Sequence, residues 1–170
     1  MNLFDHIRDV PDFPKPGIVF KDISPLLASR EATQEAIRAM AEPYRADPPE
    51  AILAVEARGF LFAVPMAQEL GCGVVLVRKP GKLPAATTAV EYALEYGNDM
   101  LEMHADALTK GQKVLIVDDV LATGGTVAAC ADLARQAGAE VTAAAFLVEL
   151  TFLNGRSKLG NLPVSAAITY

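Results

Sequence analysis

Two stretches of this chain each read as strand, helix, strand, and no other feature narrows its fold as much. In the first, the apolar run Ala51–Val55 lies between Pro48-Pro49 and the charged Glu56 and Arg58; Gly59–Leu70 reads as a helix closed by Gly71, and Val74–Val77 as a β-branched strand. In the second, Lys113–Val117 is a buried-type strand, Thr126–Ala137 a helix ended at Gly138, and Val141–Val148 another strand. Strands joined through a helix run parallel, so the pattern implies an α/β chain with a mainly parallel central sheet and helices on both faces. In such sheets ligands gather at the carboxyl ends of the strands, where Glu56, Arg58, Arg78, Asp118, Asp119 and Glu149 all fall. Arg30–Arg45 adds a surface helix with Ser29 as N-cap and Pro43 near its far end. Lys79–Gly97 mixes Pro, Gly, Lys, Thr and Glu without a steady period and reads as a long loop, the kind that serves as a lid.

The 170 residues carry no low-complexity tract or internal repeat, which predicts one domain around one core. The most apolar windows, Ala51–Ala67 and Val141–Leu150, are interrupted by Glu56, Arg58 and Glu149 and are too short to span a membrane. The first residues, MNLFDHIRDVPDF, lack the layout of a signal peptide, and Cys72 on a turn with Cys130 on a helix make neither a disulfide frame nor a zinc site; a cytoplasmic location is expected. A net charge of −6 argues against a nucleic-acid partner, which needs a dense basic face.

The stretch Val114–Cys130, VLIVDDVLATGGTVAAC, places two acids after an apolar run, then a glycine pair at a helix start. Such a loop points free N–H groups outward with the positive end of the helix dipole behind them, so Ala122–Thr126 makes a phosphate cradle. Asp118 and Asp119 would repel a phosphate set directly on them and suit hydroxyl donors or a cation one sugar-width away, which describes a ribose 5-phosphate. The plainer reading makes Asp118 a cap and the glycines a tight turn, although a cap needs only one acid. The acidic strand of a P-loop NTPase is excluded because no G-x-x-x-x-G-K-[ST] occurs. A dinucleotide fold lacks its G-x-G-x-x-G, although Glu149 stands where a ribose-binding acid could fall.

VLIVDDVLATGGT closely resembles the phosphoribosyl pyrophosphate (PRPP) motif of type I phosphoribosyltransferases. FPKPGIVFKDISPLL (Phe13–Leu27), ARGFLF (Ala57–Phe62), RKPGKLP (Arg78–Pro84), EYALEYG (Glu91–Gly97) and LVELTFLNGRSKL (Leu147–Leu159) resemble, in order and essentially end to end, the signature blocks of the adenine phosphoribosyltransferase family. The resemblance implies a single-domain type I phosphoribosyltransferase fold over residues 1–170, with residues 1–27 as a small base-binding hood and 79–97 as a flexible catalytic loop. It implies a pentosyltransferase of purine salvage that converts adenine and PRPP to AMP and pyrophosphate. Mg2+ would be carried by PRPP and pyrophosphate rather than ligated directly by the protein. A homodimer is implied, with no nucleic-acid or membrane partner.

Carried over by motif, Asp118 and Asp119 hold the ribose hydroxyls, and Ala122, Thr123, Gly124, Gly125 and Thr126 hold the 5-phosphate. Glu56, Ala57 and Arg58 form the pyrophosphate loop, with Arg78, Lys79 and Lys82 as further cations that can reach across a dimer interface. Glu95, with Tyr96 beside it, falls in the catalytic position and Arg58 assists; Glu91, at i, i+4 from Glu95 on one face of a presumed helix, is read as structural. The backbone at Val19 and Lys21 would read the base edge, between the ring of Phe20 and Leu150. The chain departs from the family in Glu56, where Asp is common, and in Lys21, where Arg is frequent. Two rivals remain: a transferase for hypoxanthine or guanine, and a PRPP-sensing regulator without catalysis.

Overall fold

The protein is described by a computed structural model that covers residues 1–94 and 97–170. It divides into two units, Met1–Ala39 and Met40–Tyr170. In the first, β1 (Arg8–Pro11) pairs antiparallel with β2 (Val19–Asp22), so the Pro-rich start holds a hairpin that its composition hid. Cross-strand ion pairs join Arg8 to Asp22 at 2.9 Å and Lys21 to Asp9 at 2.7 Å. The short α1 (Ser24–Ala28) precedes α2 (Arg30–Ala41), whose first turn is capped as expected: Ala32 N donates to Ser29 Oγ at 3.2 Å.

The second unit is built on the two strand, helix, strand repeats. β3 (Ala51–Val55), α3 (Gly59–Leu70) and β4 (Gly73–Val77) form one; β7 (Lys113–Leu121), α4 (Gly125–Gln136) and β8 (Glu140–Glu149) form the other. Between them lie β5 (Thr87–Ala93) and β6 (Asn98–His104), and β9 (Val164–Thr169) ends the chain. The five-stranded sheet runs β4-β3-β7-β8-β9, and every neighbouring pair is parallel. Central strands in such a sheet are covered on both faces, which is why β3 is buried at every residue and β8 at its last seven. Phe62, Met66, Ile116 and Phe146 are among the fully enclosed side chains of that core. Tyr44 Oη meets Ser165 Oγ at 2.7 Å and tethers the turn after α2 to β9.

The segment 79–97 differs from the expected loop. Its part Thr87–Ala93 is a strand paired with β6 from Thr87↔His104 to Ala93↔Asn98, and Arg78 bridges Glu102 through two backbone hydrogen bonds of 2.9 and 2.7 Å. Val90 and Tyr92 turn inward while Ala89, Glu91 and Ala93 face out, a period of two. Glu91 therefore lies on a strand, not on the expected helix.

Candidate active site

Between β3 and β7 the sheet changes direction: β3 leads outward through α3 to β4, and β7 leads the other way through α4 to β8 and then β9. A crevice opens beyond the carboxyl ends of two such strands. β7 carries Asp118 and Asp119 to this point, and the turn after β3 brings Glu56, Ala57 and Arg58, with a cis peptide between Glu56 and Ala57. Arg58 Nε donates to Asp119 Oδ2 at 2.5 Å, and only 5 % of Asp119 is exposed. Asp118 is tucked beneath the start of α3, where a Cβ at Gly59 would stand 3.0 Å from its Oδ1, and it accepts Asp119 N at 2.8 Å. Burial raises the Asp118 pKa well above the usual carboxylate value, and the neighbouring charge of Asp119 adds to the rise.

From Leu121 the chain turns into α4 through Gly124, whose φ of +85° suits glycine. Asp118 and Val120–Val127 line a cleft of about 80 Å³ here, open at the end of α4 where backbone N–H groups lack helical partners. The floor of the loop is backbone against backbone. A Cβ at Gly124 would collide with the Gly155 carbonyl, and one at Gly155 with the carbonyl of Ala122. Leu150 N donates to Leu121 O at 3.0 Å, so the chain leaving β8 is bound to the same floor. Gly155 was not singled out by the sequence reading; the Asn154-Gly155 pair inside a signature block was its only signal.

On the other side of the crevice Arg78 and Lys79 are both engaged. Glu56 accepts Lys79 N at 2.6 Å and Arg78 Nη2 at 3.5 Å, so its carboxylate ties the two strand ends together. Arg78 also stands 5.9 Å over the Phe60 ring. Lys79 Nζ pairs with Asp99 of β6 and donates to Tyr92 Oη at 3.4 Å. Burial works against the Lys79 charge, but these hydrogen bonds prevail and hold its pKa above the ordinary value, while the same bond to Lys79 holds Asp99 below its own. Lys82 is exposed, and its carbonyl accepts Arg78 Nη1 at 3.4 Å. Glu95 and Tyr96 lie outside the described residues.

Glu149 is 5 % exposed and is held by Arg156 through two contacts of 2.6 Å, a bidentate pair that ties the end of β8 to the turn after it. The hydrogen bonds to Glu149 raise the Arg156 pKa. In the first unit, Val19 on β2 is 47 % exposed, the Phe20 ring meets that of Phe13 edge-on at 5.2 Å, and the Lys21 ammonium is committed to Asp9.

The phosphoribosyl transferase domain model matches residues 22–160. An adenine phosphoribosyltransferase of Acidiphilium cryptum is 54% identical over 170 residues, covering 100% of this chain and 99% of the relative. The chain belongs to the adenine phosphoribosyltransferase family. Within that family, the crystal structure from Thermoanaerobacter pseudethanolicus superposes with a TM-score of 0.95 at 50% identity, covering 99% of this chain and 100% of that one. The adenine phosphoribosyltransferase of Saccharomyces cerevisiae, complexed with D-2,5-dideoxy-2,5-imino-altritol 1,6-bisphosphate and adenine, gives a TM-score of 0.91 at 40% identity over 97% of this chain and 96% of that one. The α/β fold with its five-stranded parallel sheet is thus that of the family. Among the described residues no helix is long and apolar enough to cross a membrane, and no three His, Cys, Asp or Glu side chains form a metal-binding group.

Proposed function

We propose that this protein transfers the 5-phosphoribosyl group of PRPP to adenine, giving AMP and pyrophosphate in purine salvage. The observation that carries the reading is the meeting, at the switch point of the sheet, of an adjacent acid pair, a helix start suited to an anion and a set of cations. In this reading Asp118 and Asp119 hold the ribose hydroxyls, and Ala122–Thr126 hold the 5-phosphate through backbone N–H groups and the Thr123 and Thr126 hydroxyls. Arg58, Arg78, Lys79 and Lys82 offset the charge that grows on the departing pyrophosphate. Glu56 serves that group indirectly, by fixing Arg78 and the Lys79 backbone.

Magnesium would be carried by the phosphate oxygens of PRPP and pyrophosphate rather than by protein ligands, since Asp119 and Glu56 already accept from Arg58, Arg78 and the Lys79 backbone. When bound it neutralises phosphate charge. Breaking the bond to pyrophosphate leaves positive charge on the sugar, and Glu95, with Tyr96 beside it, is assigned to stabilise that charge or handle the proton of the base. By their place in the sequence motifs, Val19, Phe20, Lys21 and Leu150 are assigned to the base. Residues 1–27 are read as the hood and 79–97 as the catalytic loop of one functional domain.

A homodimer in the cytoplasm completes the proposal. Leu61 and Val64, one helical turn apart on α3, are 48 % and 47 % exposed, and Leu76 on the edge strand β4 is 41 % exposed, apolar surface that suits a second copy. Sedimentation at low concentration tests it, and a monomer there counts against it.

Pyrophosphate release from PRPP and magnesium, measured with adenine, hypoxanthine and guanine in turn, decides the base; faster turnover with either of the latter would refute adenine. Glu95→Gln is expected to depress kcat more than it weakens binding of either substrate, on the order of 10²-fold or more for a group acting in proton transfer. Unchanged kcat removes Glu95 from the chemistry.

A further inference from the structure

We propose, resting on the reading above, that Lys158 is a further phosphate-binding residue that supplies a side-chain cation to the phosphate end of PRPP and AMP. Gly125 is the first residue of α4, and a Cα–Cβ bond in a helix leans toward the helix N-terminus. The position a Cβ would take at Gly125 lies 3.9 Å from Lys158 Nζ and 3.8 Å from the ring of Tyr92. The ammonium thus stands at the N-terminal end of α4, beside the cleft where unpartnered N–H groups and the positive end of the dipole face an anion.

Charge makes the placement consequential. The run Ala122–Thr126 contains no cationic side chain, and the carboxylate of Asp118 lines the same cleft. The helix end alone offers only about half an elementary charge against a phosphate that carries nearly two. Arg58, Arg78, Lys79 and Arg156 all have carboxylate partners. Among the described residues the Lys158 side chain has no ion pair or hydrogen bond.

Most exposed lysines are solvated and gain little from a nearby charge, because their flexible stem must be ordered first. Lys158 sits on a turn that is held on several sides. Gly155 is pressed against Ala122 of the phosphate loop, Arg156 is clamped by Glu149 and donates to Val164 O at 3.1 Å, and Leu159 is buried in the core. The turn thus fixes the backbone that carries the lysine to the start of α4, next to Tyr92.

The test uses the full chain and three ligands: ribose 5-phosphate, pyrophosphate with magnesium, and PRPP with adenine. Turnover and ribose 5-phosphate binding by the wild type are the control, and their failure would remove the functional reading itself rather than this inference. With the control met, Lys158→Gln weakens ribose 5-phosphate binding by about tenfold, as expected for loss of one charge-assisted hydrogen bond. Lys158→Arg restores most of that loss, and pyrophosphate affinity stays within about twofold because Arg78 and Lys79 keep their own carboxylate partners. Equal ribose 5-phosphate affinity in wild type and Lys158→Gln overturns the assignment. A matching loss of pyrophosphate affinity also overturns it, since that reports general damage.

Discussion

The two sides of the crevice are made in different ways. The side proposed to hold the sugar phosphate is built by packing: Asp119 is buried on a central strand, and Gly124 and Gly155 let two backbones touch. The side proposed to hold pyrophosphate is built by side chains that hold one another, Arg78 with Glu56 and Lys79 with Asp99, at 14 to 41 % side-chain exposure. Packing of the first kind tolerates almost no adjustment, whereas half-exposed ion pairs contribute on the order of 1 kcal/mol or less and can exchange partners. One side is a fixed seat, and the other is a set of cations parked on internal carboxylates.

Substitution should expose that division. Asp119→Asn, which keeps the volume but leaves Arg58 beside a neutral group, is expected to lower kcat/KM for PRPP by on the order of 10²-fold or more. A smaller loss than that of Lys79→Ala in the same assay would invert the ranking of the two sides. Next come two glycines with nearly the same backbone angle, Gly124 at φ +85° and Gly81 at φ +78°. Alanine at either costs about 1–2 kcal/mol for the left-handed conformation. Only Gly124→Ala also meets the Gly155 carbonyl, so it alone should lower ribose 5-phosphate affinity along with Tm. If Gly81→Ala impaired ribose 5-phosphate as much, the fixed seat would extend into the basic segment.

The smallest effect concerns Asp99. Its pKa is held below the usual 3.8 by the hydrogen bond to Lys79, so the pair stabilises the folded state above that value and the contribution fades as pH falls through the folded pKa. Asp99→Asn should lower Tm slightly near neutral pH, by less than about 1 kcal/mol in stability for so exposed a pair, and the two proteins should converge below about pH 4. A gap that widened with acid would reverse the sign of the linkage.

The same division explains what the sequence disclosed. β3, α3, β4, β7, α4 and β8 were readable because buried parallel strands are unbroken apolar runs and their helices end in glycines. The acids and the glycine pair were readable too, since their chemistry is local to one turn. The β5–β6 hairpin was not: it lies apart from the main sheet, its outward residues are polar or small, and Glu91 with Glu95 imitated a helical spacing. β1, β2 and β9 stayed hidden because short strands at an edge or in a two-stranded ribbon bury too little to leave a pattern. The partnership of Gly124 with Gly155, and the arrival of Lys158 at Gly125, join positions about thirty residues apart that no local rule connects.

The Arg58–Asp119 contact changes what occupancy means for this site. Asp119 is already paired with a cation of the protein itself, so in the proposed reading a ribose that takes Asp119 would exchange places with Arg58. A ligand carrying both a diol and a pyrophosphate gives the displaced guanidinium a new anion as it takes the old one away. A bare ribose would offer no such compensation, so in the proposed reading it is expected to bind more weakly than PRPP.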